Sequence, residues 1–345
     1  PQISVAEDSL KDLFGWARQK GWTDQEIMSL YFGEATWHDQ FWKGENGNYS
    51  SPAPSHAWNI EVGTGRYLFT STVLFGQGHY KGAGARFWDG TNSHSYGGTE
   101  FKIDHANWKA RWYPDKFIMK SGNWDAGDGY AAWVHHTIIE GIHFNGNRRT
   151  NWYVEDGTWG GGIASLDIAE TSVIRNCYFT LFEKDGQVAN RGTPCHIEYC
   201  SYFNNNRHGL ACVGSGNFLL TGISGDENGG ATVAGIPGFT RPGNGAIAIL
   251  GFKHEAGTSD EYRPFKGTPF LYLEGTWACT ITGGTYASTK IYPYCFIHIN
   301  PTHNNSSSVQ WTGVQFFGNA PRAIIYDQVL GREYGFIGTA WNTPL

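Results

Sequence analysis

Apolar positions recur along this chain in one short pattern: an apolar residue, two others, a second apolar or small residue, and often an aromatic two positions further on. The copies are IEGIHF at Ile139–Phe144, IRNCYF at Ile174–Phe179, IEYCSY at Ile197–Tyr202, LTGI at Leu220–Ile223, ITGGTY at Ile281–Tyr286 and WTGVQF at Trp311–Phe316. A weaker copy, ILGF, stands at Ile249–Phe252. The step from Ile174 to Ile197 equals the step from Ile197 to Leu220. The third position is Gly in four of the six copies and Asn or Tyr in the others. Gly and Asn adopt a left-handed backbone at little cost, so a short strand bends there and continues as a second strand. Strand, bend and strand, recurring at a near-constant interval, is what a parallel β-helix requires, since each coil turns corners and lies on the previous one. Neither a helical period nor hairpin dipeptides account for the pattern as well.

Before these copies come Gly65-Arg66-Tyr67-Leu68-Phe69, Val73-Leu74-Phe75 and Gly82-Ala83-Gly84. Together with the repeat they resemble the right-handed parallel β-helix superfamily of pectate lyases, polygalacturonases and bacteriophage tailspikes. The spacing of Gly65, Tyr67, Gly82 and Gly84 is similar to the first-coil signature of tailspike-type members. The resemblance implies an all-β, right-handed, single-stranded parallel β-helix over roughly residues 60–330, with a short α-helical N-terminal cap. Residues 1–59 suit that cap. Leu10, Leu13, Phe14 and Ala17 make one apolar face after Ser9, Thr23 to Glu26 forms a capping box, and Trp37, Phe41, Trp42 and Trp58 follow. Excursions are expected near 85–130, 147–161 and 229–268, and residues 331–345 supply a C-terminal cap or subunit contact.

Composition narrows the function. Only 16% of the 345 residues are charged and the formal net charge is −6, so the positive field that a nucleic acid requires is missing. No apolar run approaches the roughly 18 to 20 residues that span a bilayer as a helix, and no membrane partner is expected. Pro1 to Ser4 lacks a basic stretch followed by an apolar one, and the absence of an initiator Met suits a processed product. The six cysteines lack paired zinc-site spacing; no metal and no cofactor is expected. Cys177 and Cys200, one repeat apart, suit a buried thiol stack, with a disulfide or reactive thiol as the alternative. Glu140, Arg175 and Glu198 share the position before the bend and form a ladder of alternating charge.

The same spacing places Asp185 under His208, Glu183 under Asn206 and Asp167 under Asn190. Glycan hydrolysis needs two carboxyl groups about 5 to 10 Å apart. Asp167, Glu170, Glu183 and Asp185 are therefore candidate catalytic acids, with His208 as acid or base. Turn Asp and Asn residues also satisfy backbone amides, the structural alternative for each. Trp152, Tyr153 and Trp159, flanking Glu155 and Asp156, are the candidate sugar-binding group, together with Asn190 and Arg191. Only Arg207-His208-Gly209 is reminiscent of a polygalacturonase motif, and neither the paired-Asp motif nor a pectate lyase calcium set is found.

Three functions follow. The first is a tailspike-like virion appendage, a homotrimer on the virion surface or outside the cell, contacting other virion proteins, that binds a surface polysaccharide and depolymerises it. The second is a non-catalytic structural or adhesive β-helix. The third is a secreted polysaccharide lyase or glycoside hydrolase.

Overall fold

Every bend expected from the repeat is a left-handed residue. Gly141, Asn176, Tyr199, Gly222, Gly251, Gly283 and Gly313 have φ of 67°, 53°, 50°, 61°, 67°, 68° and 68°. The computed structural model describes residues 58–70, 73–74, 78–85, 87–88, 95–108, 117–120, 137–149, 161–166, 169–190, 193–214, 216–237, 244–256, 269–288, 295–300, 307–318, 323–327 and 332–334. Their strands, β1 to β26 in chain order, form three parallel stacks.

The first stack holds β1 (Trp58–Val62), β4 (Gly78–Gly82), β9 (Ile138–Glu140), β12 (Ala169–Arg175) and β15 (Thr193–Glu198). The second holds β2 (Gly65–Phe69), β7 (Thr99–Ile103), β10 (Ile142–Asn145), β13 (Tyr178–Thr180) and β16 (Ser201–Phe203). Four long strands, β18 (Asn217–Asp226), β20 (Asn244–Ala256), β22 (Thr276–Ser288) and β24 (Ser308–Gly318), pass through the bend and serve both stacks. The third stack holds β3 (Val73–Leu74), β8 (Phe117–Lys120), β11 (Gly161–Leu166), β14 (Gln187–Asn190), β17 (Leu210–Val213), β19 (Val233–Ile236), β21 (Leu271–Glu274), β23 (Cys295–Asn300) and β25 (Ala323–Asp327). β26 (Arg332–Tyr334) turns back antiparallel on β25, and β5 (Phe87–Trp88) pairs with β6 (Ser95–Tyr96) as a side hairpin. The architecture is all-β with long parallel strands in curled sheets, and it fits a parallel β-helix-like fold.

Register turns the repeat into columns. Ile139, Ile174, Ile197, Leu220, Ile249 and Ile281 are successive partners and all are buried. Tyr67, Phe101, Phe144, Phe179 and Tyr202 form the next inward column. Within it, Phe144 and Phe179 stack at 5.0 Å and Phe179 and Tyr202 at 5.1 Å between ring centroids. At Gly225 the aromatic column is interrupted because Thr232 occupies the space: a Cβ on Gly225 would lie 2.0 Å from the Thr232 hydroxyl oxygen. That hydroxyl is 2.8 Å from His254 Nδ1, and His254 restarts the column by stacking on Tyr286 at 4.9 Å. A methyl has no room here, so Gly225→Ala is expected to destabilise the fold by roughly 1–3 kcal/mol through overpacking, measured as a lowered urea midpoint.

The ladder of alternating charge is present and longer than expected. Arg175 lies between Glu140 and Glu198, and Glu61 and Lys81 extend the column below. Arg175 and His79 both reach Glu140, at 2.5 and 2.9 Å. Cys177 and Cys200 are buried free thiols, as are Cys195, Cys212, Cys279 and Cys295.

Three expectations change. No helix occurs among the described residues and the helical cap is unsupported; residues 1–57 lie outside those residues, and Trp58 and Asn59 are already strand. The stretch 85–130 contains β7 and β8, members of the parallel stacks, so it is not a single lateral loop. In the stretch 229–268, β20 carries the expected weak copy Ile249–Phe252, and β19 is a further stacked strand.

Candidate functional site

The turn leaving the second stack recurs at the same step as the repeat, and it holds Glu183, Asp185 and Glu227. Leu181, Asn204 and Glu227 open it with φ of 58°, 54° and 50°. Inside, Asn205 is a buried rung. Its Oδ1 accepts the Phe182 amide at 3.2 Å, while its Nδ2 donates to the Phe179 carbonyl at 3.1 Å and to Asn228 Oδ1 at 2.8 Å.

Asp185 and His208 occupy equivalent places in this turn, as expected. Asp185 Oδ1 accepts the His208 amide at 3.0 Å, and one coil later His208 Nδ1 accepts the Ala231 amide at 3.0 Å. A carboxylate and an imidazole thus satisfy the same backbone group in successive turns. The bond from Ala231 leaves Nδ1 unprotonated and the ring proton on Nε2. Arg207 closes the arrangement with two bonds to Asp185, Nε to Oδ1 at 2.7 Å and Nη2 to Oδ2. Burial pushes the His208 imidazolium down to about 3, against the attraction of Asp185.

That shift has a sign that experiment can read. Below pH 6.5 the unfolded chain takes up a proton on His208 that the folded chain refuses until about pH 3. The stability linked to this group is complete above pH 6.5 and falls on acidification, by about 1.4 kcal/mol per pH unit at most. His208→Asn retains an acceptor for the Ala231 amide and should flatten the acid limb of the stability profile between pH 6.5 and 3. An unchanged limb, by urea denaturation at several pH values, would assign the acid sensitivity elsewhere.

The other expected residues fall as follows. Glu183 forms a two-pronged pair with Arg149, at 2.7 and 3.0 Å; burial raises its carboxyl, but these bonds outweigh it and hold the acid below its ordinary range. Glu170 is on β12 and Asn190 on β14. Asn190 pairs with Leu166, so Asp167 is not its register partner: the step from β11 to β14 is longer by one position than the step from Ile174 to Ile197. Asp167, Trp152, Tyr153, Glu155, Asp156, Trp159 and Arg191 lie outside the described residues.

A second acid group lies on the outward side of the second stack. Phe203, Asp226 and Glu255 are register partners on successive strands, with neighbouring Cα atoms about 4.8 Å apart. Asp226 is half-buried, and its carboxyl is pushed up to about 6 by burial, then by the negative charges of Glu227 and Glu255. Lys253 Nζ lies 2.5 Å from Glu255 Oε1, giving that carboxylate a cation at its side. Below the acids, the half-buried rings of Tyr178 and Phe203 stack at 6.0 Å with 22° between planes. The group thus combines a proton-holding carboxyl, a charge-supported carboxylate and an aromatic pair.

No family model matches the chain, and no curated protein matches it. Among solved structures it is similar to one described as Geobacillus virus E2 ORF18, with 14% identity and a TM-score of 0.47. The match covers 94% of this chain and 64% of that one, so the chain spans about two-thirds of the length of the structure it matches.

Asp226 and Glu255 were not among the expected acids, because the offset between them is longer than the step that joins Ile174 to Ile197. The signal was available in the weak copy at Ile249–Phe252. Aligning its Gly251 with Gly222 gives the longer offset directly.

Glu227 adds a backbone observation. Its left-handed φ of 50° suits Asn204 one coil earlier but costs a glutamate about 1 kcal/mol. Glu227→Asn is expected to raise unfolding free energy by about 1 kcal/mol in urea and to lower the pKa of Asp226 by removing a neighbouring charge. Among the described residues, no group of three or more His, Cys, Asp or Glu is arranged to hold a metal ion.

Proposed function

We propose that this chain is a phage-appendage-type protein whose strands wind as one right-handed parallel β-helix, and that it binds a surface polysaccharide and hydrolyses it at Asp226 and Glu255. The observation that carries this reading is the outward column Phe203, Asp226, Glu255, in which a carboxyl raised to about 6 lies one strand from a second carboxylate. Asp226 holds the proton that the leaving glycosidic oxygen receives. Glu255, supported by Lys253, attacks the anomeric carbon, and water then releases the sugar with Asp226 as base. Adjacent strands bring the Cα atoms of Asp226 and Glu255 to about 4.8 Å, which lets the two carboxyls approach the roughly 5 Å separation of retaining hydrolysis. Tyr178 and Phe203 offer ring faces for the apolar face of a sugar.

Asp185 and His208 act here by holding the turn between the second and third stacks, and Glu183 is held in the same turn by Arg149. This reading keeps Trp152, Tyr153, Glu155, Asp156 and Trp159, with Asn190 and Arg191, as the sugar-binding residues expected from the sequence. A homotrimer on a virion is the assembly this reading expects, supported by the tailspike-like first-coil residues of the sequence. A purely structural or adhesive solenoid is the second reading, favoured by the internal partners of Asp185, Arg207, His208 and Asn205.

Incubation with a panel of bacterial and algal polysaccharides, followed by mass spectrometry of released products, tests the proposal. It predicts saturated oligosaccharides from one glycan, no release by Glu255→Gln, and retained binding of that glycan by the variant. Binding without release by the native chain would favour the adhesive reading, and unsaturated products would identify a lyase.

A further inference from the structure

The outer face of the first stack changes character part-way along the coils. The ladder of alternating charge that ends at Glu198 continues, in the same register column, as Thr221, Leu250, Thr282 and Thr312. The column beside it passes from His196 to Leu219, Ala248, Thr280 and Gln310. On all four long strands, β18, β20, β22 and β24, no charged residue stands before the bend. These outward positions are half-buried or exposed, and Leu250 is 45% exposed. The corner beside them is open too, since a Cβ on Gly251 or Gly283 would meet nothing within 4 Å.

A face without charge suits the centre of a protein contact, where charged side chains are depleted. The order of its rungs says which partner fits. Leu219, Ala248 and Leu250 make the lower two rungs largely apolar, whereas Thr280 and Thr282 on β22, and Gln310 and Thr312 on β24, make the upper two polar. A hydroxyl or a carboxamide both donates and accepts, so each pairs with its own kind, and leucine packs on leucine. A carboxylate or a guanidinium does not pair with itself. Rotation about an axis parallel to the coils keeps every rung at its own height, so copies related in this way bring equal rungs together. Turned end for end, Leu219 and Leu250 would instead cover the threonine hydroxyls and Gln310 and deprive them of partners. The charge ladder sets the lower limit of the contact, because equal rungs there oppose Glu198 to Glu198 and Arg175 to Arg175.

We propose that the outward face of β18, β20, β22 and β24 before the bend is the contact surface between copies of this chain, packed side by side with coil axes parallel and equal rungs together. The inference deepens the assembly expected above and rests on it only in that copies associate. Asp226 and Glu255 lie past the bend, on the outward side of the second stack, so the contact leaves them accessible.

Sedimentation equilibrium at micromolar concentration tests this, and the native chain should give a multiple of 38.3 kDa. Leu250→Lys and Thr282→Lys each set like charges against one another on one rung and should weaken association at least about tenfold, with the circular dichroism spectrum unchanged. Mixing Thr282→Lys with Thr282→Glu should restore association, which covers the case of a variant that merely fails to fold. Thr221→Cys and Thr312→Cys, on the outermost rungs, should each cross-link to its own kind under mild oxidation. Cross-links that form only when these two variants are mixed would overturn the parallel packing. An oligomer whose mass survives both lysine substitutions would overturn the face and leave the assembly standing, whereas a native chain of single mass would overturn both.

Discussion

Asp185→Ala should destabilise the protein by about 3 to 5 kcal/mol, among the largest losses expected of any single side chain. The carboxylate is fully buried, accepts the His208 amide and forms a two-pronged pair with Arg207, itself only slightly exposed. Its removal takes the shared carboxylate from the His208 amide and the Arg207 guanidinium in the same turn, so both buried donors lose a bond at once. Asp185→Asn should lose less, because an amide oxygen can still accept from His208 while the charge opposite Arg207 disappears. Urea denaturation at pH 7 gives the comparison. Were Asp185 a catalytic acid, the Asn variant would instead retain its unfolding midpoint and lose turnover.

For Asp226→Asn the expectation is opposite in sign for stability and severe for activity. Loss of the proton donor should reduce glycan turnover by about 10²- to 10⁴-fold with binding retained. Stability should rise. The folded carboxyl binds its proton more tightly than the unfolded one, about 6 against 3.8, so its ionisation works against the fold as pH climbs through that window. The penalty is complete above pH 6 and absent below 3.8, where both states are protonated. A shift of this size corresponds to about 3 kcal/mol, which solvent screening at a half-buried site reduces to roughly 1 kcal/mol. Asp226→Asn is thus expected to melt higher at pH 7 to 8 and to match the native protein near pH 3. A carboxyl that weakens the fold at neutral pH is the pattern expected of the catalytic position proposed for Asp226.

The parts of the fold that could be read from sequence are those set by backbone conformation. A left-handed bend demands Gly or Asn, and this requirement marked Gly141, Asn176, Gly222, Gly283 and Gly313 before any coordinates. Tyr199 fits the same slot although its side chain disfavours it; its ring packs over Gly222, where a Cβ would meet it at 2.6 Å. Equal spacing then gave the Ile174, Ile197, Leu220 column and the stacking of Cys177 with Cys200. Two features of the chain hid the rest. The β5–β6 hairpin separates β4 from β7, so the first coils lack the contiguous pattern and their strands within 85–130 went unseen. Unequal steps displaced the acids: an extra position between β11 and β14 puts Leu166 under Asn190, and a longer excursion between β18 and β20 conceals the Asp226–Glu255 pair from a count made at the regular step. The role of Asp185 was hidden for another reason. Position alone does not reveal that Arg207 folds back over it.

Cleavage in oxygen-18 water by the native chain and by Asp226→Asn tests the central claim, that the outward column of Asp226 and Glu255 hydrolyses a bound glycan. The account predicts one heavy oxygen at each new reducing end with the native chain and almost no new ends with the variant. New ends produced equally by both proteins, or products carrying a double bond and no heavy oxygen, would contradict it.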